Sequence, residues 1–350
     1  MNRRPVRAAL ILSCLIAAVL ALASAPPAGA QPPSNPTPAP TSQTPPPVDP
    51  DARAVSQKEL MAKSPRVEGL VIIPSERAGV LIQPAGRTWR YVHEVLIHWG
   101  GAILLIGVLV VLAAFYLIVG RIRLTSGRSG RRVTRFSPYE RFCHWLNASA
   151  FVILALTGLN VTFGKLILMP LIGRDAFGAF AAACKYTHNF VSFAFMLGLA
   201  LIVFNWIRDN IPRRLDITWL LQGGGFVGSK RPPAGRFNAG EKLVFWFALA
   251  AGVGVIVTGL LLLFPFYVTN IFGMQVVQVL HAVIALCFIA VILGHIYIGT
   301  VGMEGAFEAM GTGSVDLNWA EEHHKLWADE LLREGVQPTP PAGAVGSPAE

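Results

Sequence analysis

Residues 274–300 read MQVVQVLHAVIALCFIAVILGHIYIGT, with histidines at 281 and 295. The run is apolar and longer than the about 20 residues a helix needs to cross a bilayer. Fourteen residues separate His281 from His295, which on a helix is about 21 Å along the axis and about 40° around it. One face of one membrane helix therefore carries an imidazole towards each side of the hydrocarbon. Ionisable groups at such depth are costly and rare, so they read first as functional. A second histidine from a neighbouring helix at each level would complete two metal centres, one above the other.

The rest of the chain agrees with a membrane setting. It is 53% hydrophobic and only 14% charged over 350 residues, too apolar for a soluble protein. Runs of membrane length lie at 98–119, 145–166, 190–207, 243–264 and 276–298, which predicts an all-α integral membrane protein. The net charge of +9 does not indicate nucleic acid, because the basic residues cluster between the apolar runs. Arg121, Arg123, Arg128, Arg131, Arg132, Arg135 and Arg141 follow the first run. Arg208, Arg213, Arg214, Lys230, Arg231, Arg236 and Lys242 follow the third. The positive-inside rule places both loops in the cytoplasm, with the N-terminus periplasmic and the C-terminus cytoplasmic across a bacterial inner membrane.

Cys14, Cys143, Cys184 and Cys287 form no C-x-x-C pair, and Glu140 stands where Cys143-His144 would need a cysteine for covalent haem attachment. Iron–sulfur, c-type haem and disulfide frameworks are all unsupported. Residues 1–30 read as a signal peptide, with Arg3, Arg4 and Arg7 ahead of an apolar core and Ala28-Gly29-Ala30 as a cleavage site. This agrees with the charge-based topology. A Pro-rich disordered spacer is expected over 31–65 and a small periplasmic hairpin segment over 66–92, its β-like runs flanking Pro74-Ser75-Glu76-Arg77. The remaining divisions are an extra transmembrane helix at 93–120, an Arg-rich cytoplasmic loop at 121–142, a core at 143–303 and a cytoplasmic tail at 304–350. The tail, with Trp319, Trp327 and His323-His324, reads as a short surface helix followed by disorder, its two histidines solvated.

With this topology the histidines sort by depth. His188 and His281 fall near the outer side, and His144 and His295 near the inner. Two pairs on three helices suit two bis-histidine haem b groups, a ligation fitted to electron transfer rather than oxygen chemistry. Any one of these histidines alone reads more readily as an interfacial residue than as a ligand, and it is the joint pattern that points to ligation; His93 and His98 show no depth match and read as interfacial. Gly158, Gly198, Gly252, Gly254, Gly259 and Gly294 fit close approach of a macrocycle or simply of another helix. Arg135 and Arg141 are candidates for haem propionates, or are topology-setting charges.

Several segments resemble one family. They are Glu140-Arg-Phe-Cys-His144-Trp145, His188 at the head of the next run, Asp209-Asn-Ile-Pro212, Asp216-Ile-Thr-Trp219, Phe237-Asn238-Ala-Gly240-Glu-Lys242, and Met274-Gln-Val-Val ahead of His281 and His295. From about 135 to 327 they are similar to the gamma, cytochrome b556, subunit of membrane-bound formate dehydrogenase, within a wider group of di-haem cytochromes b serving nickel–iron hydrogenases. The resemblance implies a four-helix di-haem bundle, here preceded by one extra helix. It implies haem iron held by His188 and His281 outside and by His144 and His295 inside. It also implies a quinone pocket at Asn238, Ala239 and Gly240, where an amide and a backbone N–H face a quinone carbonyl; the same three residues read locally as a helix cap or turn. The implied partners are an iron–sulfur (beta) subunit and a molybdenum- or tungsten-containing catalytic (alpha) subunit. The front third has no counterpart in the four-helix members.

The expected function is therefore electron transfer from a periplasmic iron–sulfur subunit to quinone at the cytoplasmic side, with formate oxidised on a partner. A cytochrome b subunit of a nickel–iron hydrogenase or another respiratory reductase fits the same residues. A haem-free anchor or a proton-relay transporter is the alternative from a different class.

Overall fold

Lipid offers a backbone no hydrogen-bond partner, so membrane-crossing runs must close their bonds internally as helices. A computed structural model describes residues 86–225 and 232–340, and in it five helices are long and apolar enough to span. They are α1 (His98–Val119), α2 (Pro138–Ile167), α3 (Arg174–Trp206), α5 (Ala239–Leu263) and α6 (Ile271–Tyr297). A short helix α4 (Arg214–Leu221) lies between α3 and α5. The signal peptide, the spacer and the two β-like runs of the hairpin fall outside the described residues. Among the described residues the first helix is Gly86–Tyr91, which continues through a π-helical segment, Val92–Ile97, into α1. Residues 86–92 of the expected hairpin segment are thus helical.

The starts of α2 and α5 are built alike. Ser137 accepts from the Glu140 N–H while the Glu140 carboxylate accepts from the Ser137 N–H. Asn238 and Glu241 make the same reciprocal pair. Each box satisfies two N–H groups that a helix start would leave open. The ends of α1, α3 and α6 share this arginine-rich side, as an up-and-down order requires.

Helices α2, α3, α5 and α6 share one core in which Ala150, Phe195, Leu199, Ala251 and Phe288 are buried. Gly198 lets α3 meet α2 closely, since a Cβ there would come within 2.9 Å of the Asn147 backbone. Helix α1 stands outside this core. Only 6% of its apolar window is buried within the protein. It rests on α6 through Gly101 against Leu286, and through Phe115 and Tyr116 edge-on to Tyr297.

The tail is more than the single short surface helix expected, and the disorder expected at its Pro/Ala/Gly-rich end falls largely on residues 341–350, outside the described residues. Residues up to 340 fold into α7 (Ala306–Gly311), β2 (Ser314–Asp316), α8 (Leu317–His323) and α9 (Lys325–Arg333). Strand β2 pairs antiparallel with β1 (Arg132–Thr134), Val133 opposite Val315. Trp319 and Trp327 are buried with Val133, Phe136, Trp206, Phe237 and Phe245 in a second core. Charge–apolar alternation that looks solvated in isolation finds its partner in the Arg-rich segment about 180 residues earlier. Arg128 and Arg132 pair with Glu308 at 2.7 and 2.8 Å, and Asp316 accepts from the Ser129 and Gly130 N–H groups. The Arg-rich segment is therefore part of an ordered cap.

His324 is likewise not solvated. It is fully buried, and its Nδ1 donates to the Gly235 carbonyl at 2.9 Å. Burial, and then the charge of Arg135, push its pKa down to about 3 against the opposing pull of Glu241. An unfolded histidine titrates near about 6.5. Between these values the opened cap binds a proton that the closed cap does not, so stability is full above the unfolded value and falls as pH drops toward the folded one. Limited proteolysis of the 304–340 region at decreasing pH is expected to show this loss of protection. His324→Gln should flatten the dependence by up to one proton.

Candidate functional site

The four histidines meet as two pairs. His188 on α3 faces His281 on α6 with ring centroids 6.3 Å apart and planes at 69°. His144 on α2 faces His295 on α6, again at 6.3 Å, with planes at 56°. Two metal–nitrogen bonds of about 2 Å each, plus the distance from nitrogen to ring centre on either side, account for this separation. Among the described residues no three or more His, Cys, Asp or Glu converge as a metal-ion site. Each level thus offers two imidazoles and nothing more, the complement of an iron whose equatorial positions a porphyrin fills. His144, His188 and His281 are half-buried and His295 is exposed.

The local setting of His188 differs from the sequence expectation. Helix α3 starts at Arg174, so His188 lies almost four turns inside it rather than at its head. The apolar count misses those turns because Arg174, Asp175 and Lys185 dilute them.

Two residues that sequence reasoning passed over complete the His188–His281 level. Thr157 Oγ1 lies 2.9 Å from His188 Nδ1, and Thr258 Oγ1 lies 2.9 Å from His281 Nδ1. Each hydroxyl donates backwards along its own helix, to the Ile153 and Gly254 carbonyls at 2.8 and 2.7 Å. Each therefore presents a lone pair to the ring. Nδ1 thus carries the proton in both rings and Nε2 keeps its lone pair, the tautomer a metal ligand needs. The next residues are Gly158 and Gly259, where a Cβ would sit 3.5 and 3.4 Å from the histidine Cε1. A signal existed in the sequence: the triplet Thr-Gly-Leu occurs at 157–159 and again at 258–260.

Four of the segments that resembled a known family, those at Glu140, Asp209, Asp216 and Phe237, converge around the start of α5. Arg236 pairs with Asp209 at 2.9 Å and with Glu140 at 2.6 Å. Lys242 pairs with Asp216 at 2.9 Å. The Asn210 carbonyl accepts from Trp246 Nε1 at 2.8 Å, and Trp219 lies over Gly240. Asn238 Oδ1 is the helix cap, accepting from the Glu241 N–H at 3.0 Å, and Ala239 is buried. Glu241 in turn pairs with the buried Arg135 at 2.9 Å.

Arg135 and Arg141 are engaged within the protein rather than offered to a propionate. Arg135 is 3% exposed at its side chain, binds Glu241 at 2.9 Å and lies among the Phe136, Phe237 and Trp319 rings. Arg141 donates to the Met310, Gly311 and Thr312 carbonyls at the end of α7. Their guanidinium groups fasten the cap. His98 Nδ1 bonds the His93 carbonyl at 2.8 Å and its ring meets Phe163 edge-on, away from both pairs.

A membrane helix bundle that presents ligand-ready imidazole pairs at two depths is the architecture of a b-type cytochrome. The sequence model of the prokaryotic cytochrome b561 family matches residues 135–313, just over half of the chain, and the chain belongs to that family. Haem b is the cofactor the family implies, and the paired rings fit it. The chain is 29% identical over 208 residues to the nitrate-inducible formate dehydrogenase cytochrome b556(Fdn) subunit of Escherichia coli (strain K12), covering 57% of this chain and 92% of that one. It is 28% identical over 209 residues to the formate dehydrogenase cytochrome b556 subunit of Haemophilus influenzae, covering 57% and 83%. It is 27% identical over 219 residues to the putative cytochrome YdhU of E. coli (strain K12), covering 57% and 80%.

A methyl group at either glycine stands at ordinary contact distance from its histidine, whereas a branched side chain would displace the ring. Gly158→Ala and Gly259→Ala are expected to keep the haem content of the purified protein. Gly158→Leu and Gly259→Leu should lower it, as measured by haem extraction against protein concentration.

Proposed function

We propose that this chain is the di-haem cytochrome b subunit of a respiratory formate dehydrogenase, carrying electrons across the membrane to quinone. The observation that carries the reading is the pair of equal 6.3 Å histidine separations at two levels on α6. The names of the relatives favour a formate dehydrogenase over a hydrogenase as the complex served. On this reading His188 and His281 hold the outer haem and His144 and His295 the inner, and the haems supply one-electron carriage. The arginine-rich end lies in the cytoplasm, in keeping with the positive-inside rule, and the N-terminus is periplasmic. An iron–sulfur subunit delivers electrons on the periplasmic side, and the molybdenum- or tungsten-containing subunit oxidises formate.

The protein's own residues do the remaining work. The bundle holds the four rings in place, and lipid and the apolar core keep water from the space between the levels. Asn238, Ala239 and Gly240 form the quinone pocket beside His295. Asn238 Oδ1 is committed to the helix cap, which leaves the amide nitrogen side of that residue for a quinone carbonyl. The start of α5 also points positive peptide charge at an oxygen that becomes anionic on reduction. The ion pairs around Arg236 and Lys242 hold this segment in place.

Two measurements test the reading. A reduced-minus-oxidised spectrum of the purified protein, with haem extraction, is expected to give two haem b per chain. His281→Ala and His144→Ala should each reduce that to one; a pigment-free protein would sink the proposal. Asn238→Asp keeps a good helix cap while removing the amide donor. It should leave thermal stability near wild type and slow the oxidation of reduced haem by added quinone; wild-type oxidation would remove Asn238 from the pocket.

A further inference from the structure

The two histidine levels are alike in ring separation and unlike in what holds the far side of the rings. At the His188–His281 level each ring has a threonine lone pair on Nδ1, at 2.9 Å in both cases. At the other level, His144 Nδ1 is buried without a hydrogen-bond partner among the described residues. We propose that Thr157 and Thr258 are positioning residues that set iron between His188 and His281 at a lower potential than iron between His144 and His295, so that electron flow runs from the first level to the second.

The physical reason is ligand basicity. An imidazole that donates its second N–H to an acceptor becomes a stronger electron donor through its other nitrogen. A more basic ligand stabilises ferric over ferrous iron, and hydrogen bonding around the ligands is among the levers a protein has on haem potential. Here the lever acts on both histidines of one level. The threonine hydroxyls are fixed as acceptors because their own protons are spent on the Ile153 and Gly254 carbonyls. Each helix that bears a Thr-Gly pair thus orients a histidine of its neighbour, α2 for α3 and α5 for α6.

The Glu241 carboxylate at the start of α5 is paired with the buried Arg135 guanidinium at 2.9 Å, so its charge is answered within the protein. The exchange concerned is of one electron, ferrous to ferric at the first level and ferric to ferrous at the second, with no bond or proton changing place.

This inference rests on the di-haem reading, and the test separates the two. Full-length protein would be purified with its haem and titrated electrochemically while the α-band is followed. Two one-electron waves are expected. In Thr157→Val and Thr258→Val the lower wave should move positive, raising the ferrous-to-ferric ratio at fixed potential several-fold, while the upper wave stays put. Thr157→Ser and Thr258→Ser, which keep the hydroxyl, should restore the wild-type wave. Valine variants that retain two haems with both waves unmoved, or that move the upper wave, overturn the proposal. Where a valine variant loses one haem, normal waves in the serine variant support the hydrogen bond, and equal loss in the serine variant overturns it. Absence of haem from the wild-type protein would overturn the di-haem reading and this inference together.

Discussion

A single continuous helix carries one member of each imidazole pair, and most of the architecture follows from that. Because α6 is unbroken from Ile271 to Tyr297, His281 and His295 are fixed about 21 Å apart along one axis by helix geometry. Every other element must bring a partner to one of those two heights. Helix α3 does so with His188, deep within its length, and α2 with His144, near its capped start. The equal ring separations at both levels are the outcome.

Holding imidazoles at ligand distance inside a membrane requires that everything around them be rigid. Small residues allow this by letting helices touch: Gly198 admits the Asn147 backbone, and Gly158 and Gly259 admit the histidine rings themselves. Threonines contribute by turning their hydroxyl protons back onto their own helix, so that a lone pair is left for the neighbour. At the arginine-rich end the same rigidity comes from charge. Arg135, buried among aromatic rings and tied to Glu241, joins the Arg-rich segment, the start of α5 and the folded tail. Isolated surface ion pairs contribute little. This one is buried, so removing either partner would strand the other charge.

The additional helix α1 is the part least bound to this logic. It is almost wholly outside the core and meets α6 on the side away from the histidine pairs, through Leu286 and Tyr297. Its partner-facing surface is small, which suits a helix whose main solvent is lipid.

The spans, the paired depths of four histidines and the helix that carries two of them were all legible in the amino-acid sequence. Bilayer thickness and the helical repeat convert sequence spacing directly into depth and face, with no tertiary information needed. The family likeness was legible too, because its segments are contiguous. What only the tertiary structure decided is everything that depends on residues far apart in the chain. Thr157 and Thr258 look like ordinary helix threonines until the neighbouring helix brings a histidine to them. Arg135 and Arg141 resemble free cytoplasmic charges until Glu241 and the α7 carbonyls, more than 100 residues away, consume them. The tail reads as solvated until β2 finds β1 and His324 is enclosed. Spacing along a helix is local and periodic, so the sequence states it; the choice of partner between segments is set by packing, which has no period to read.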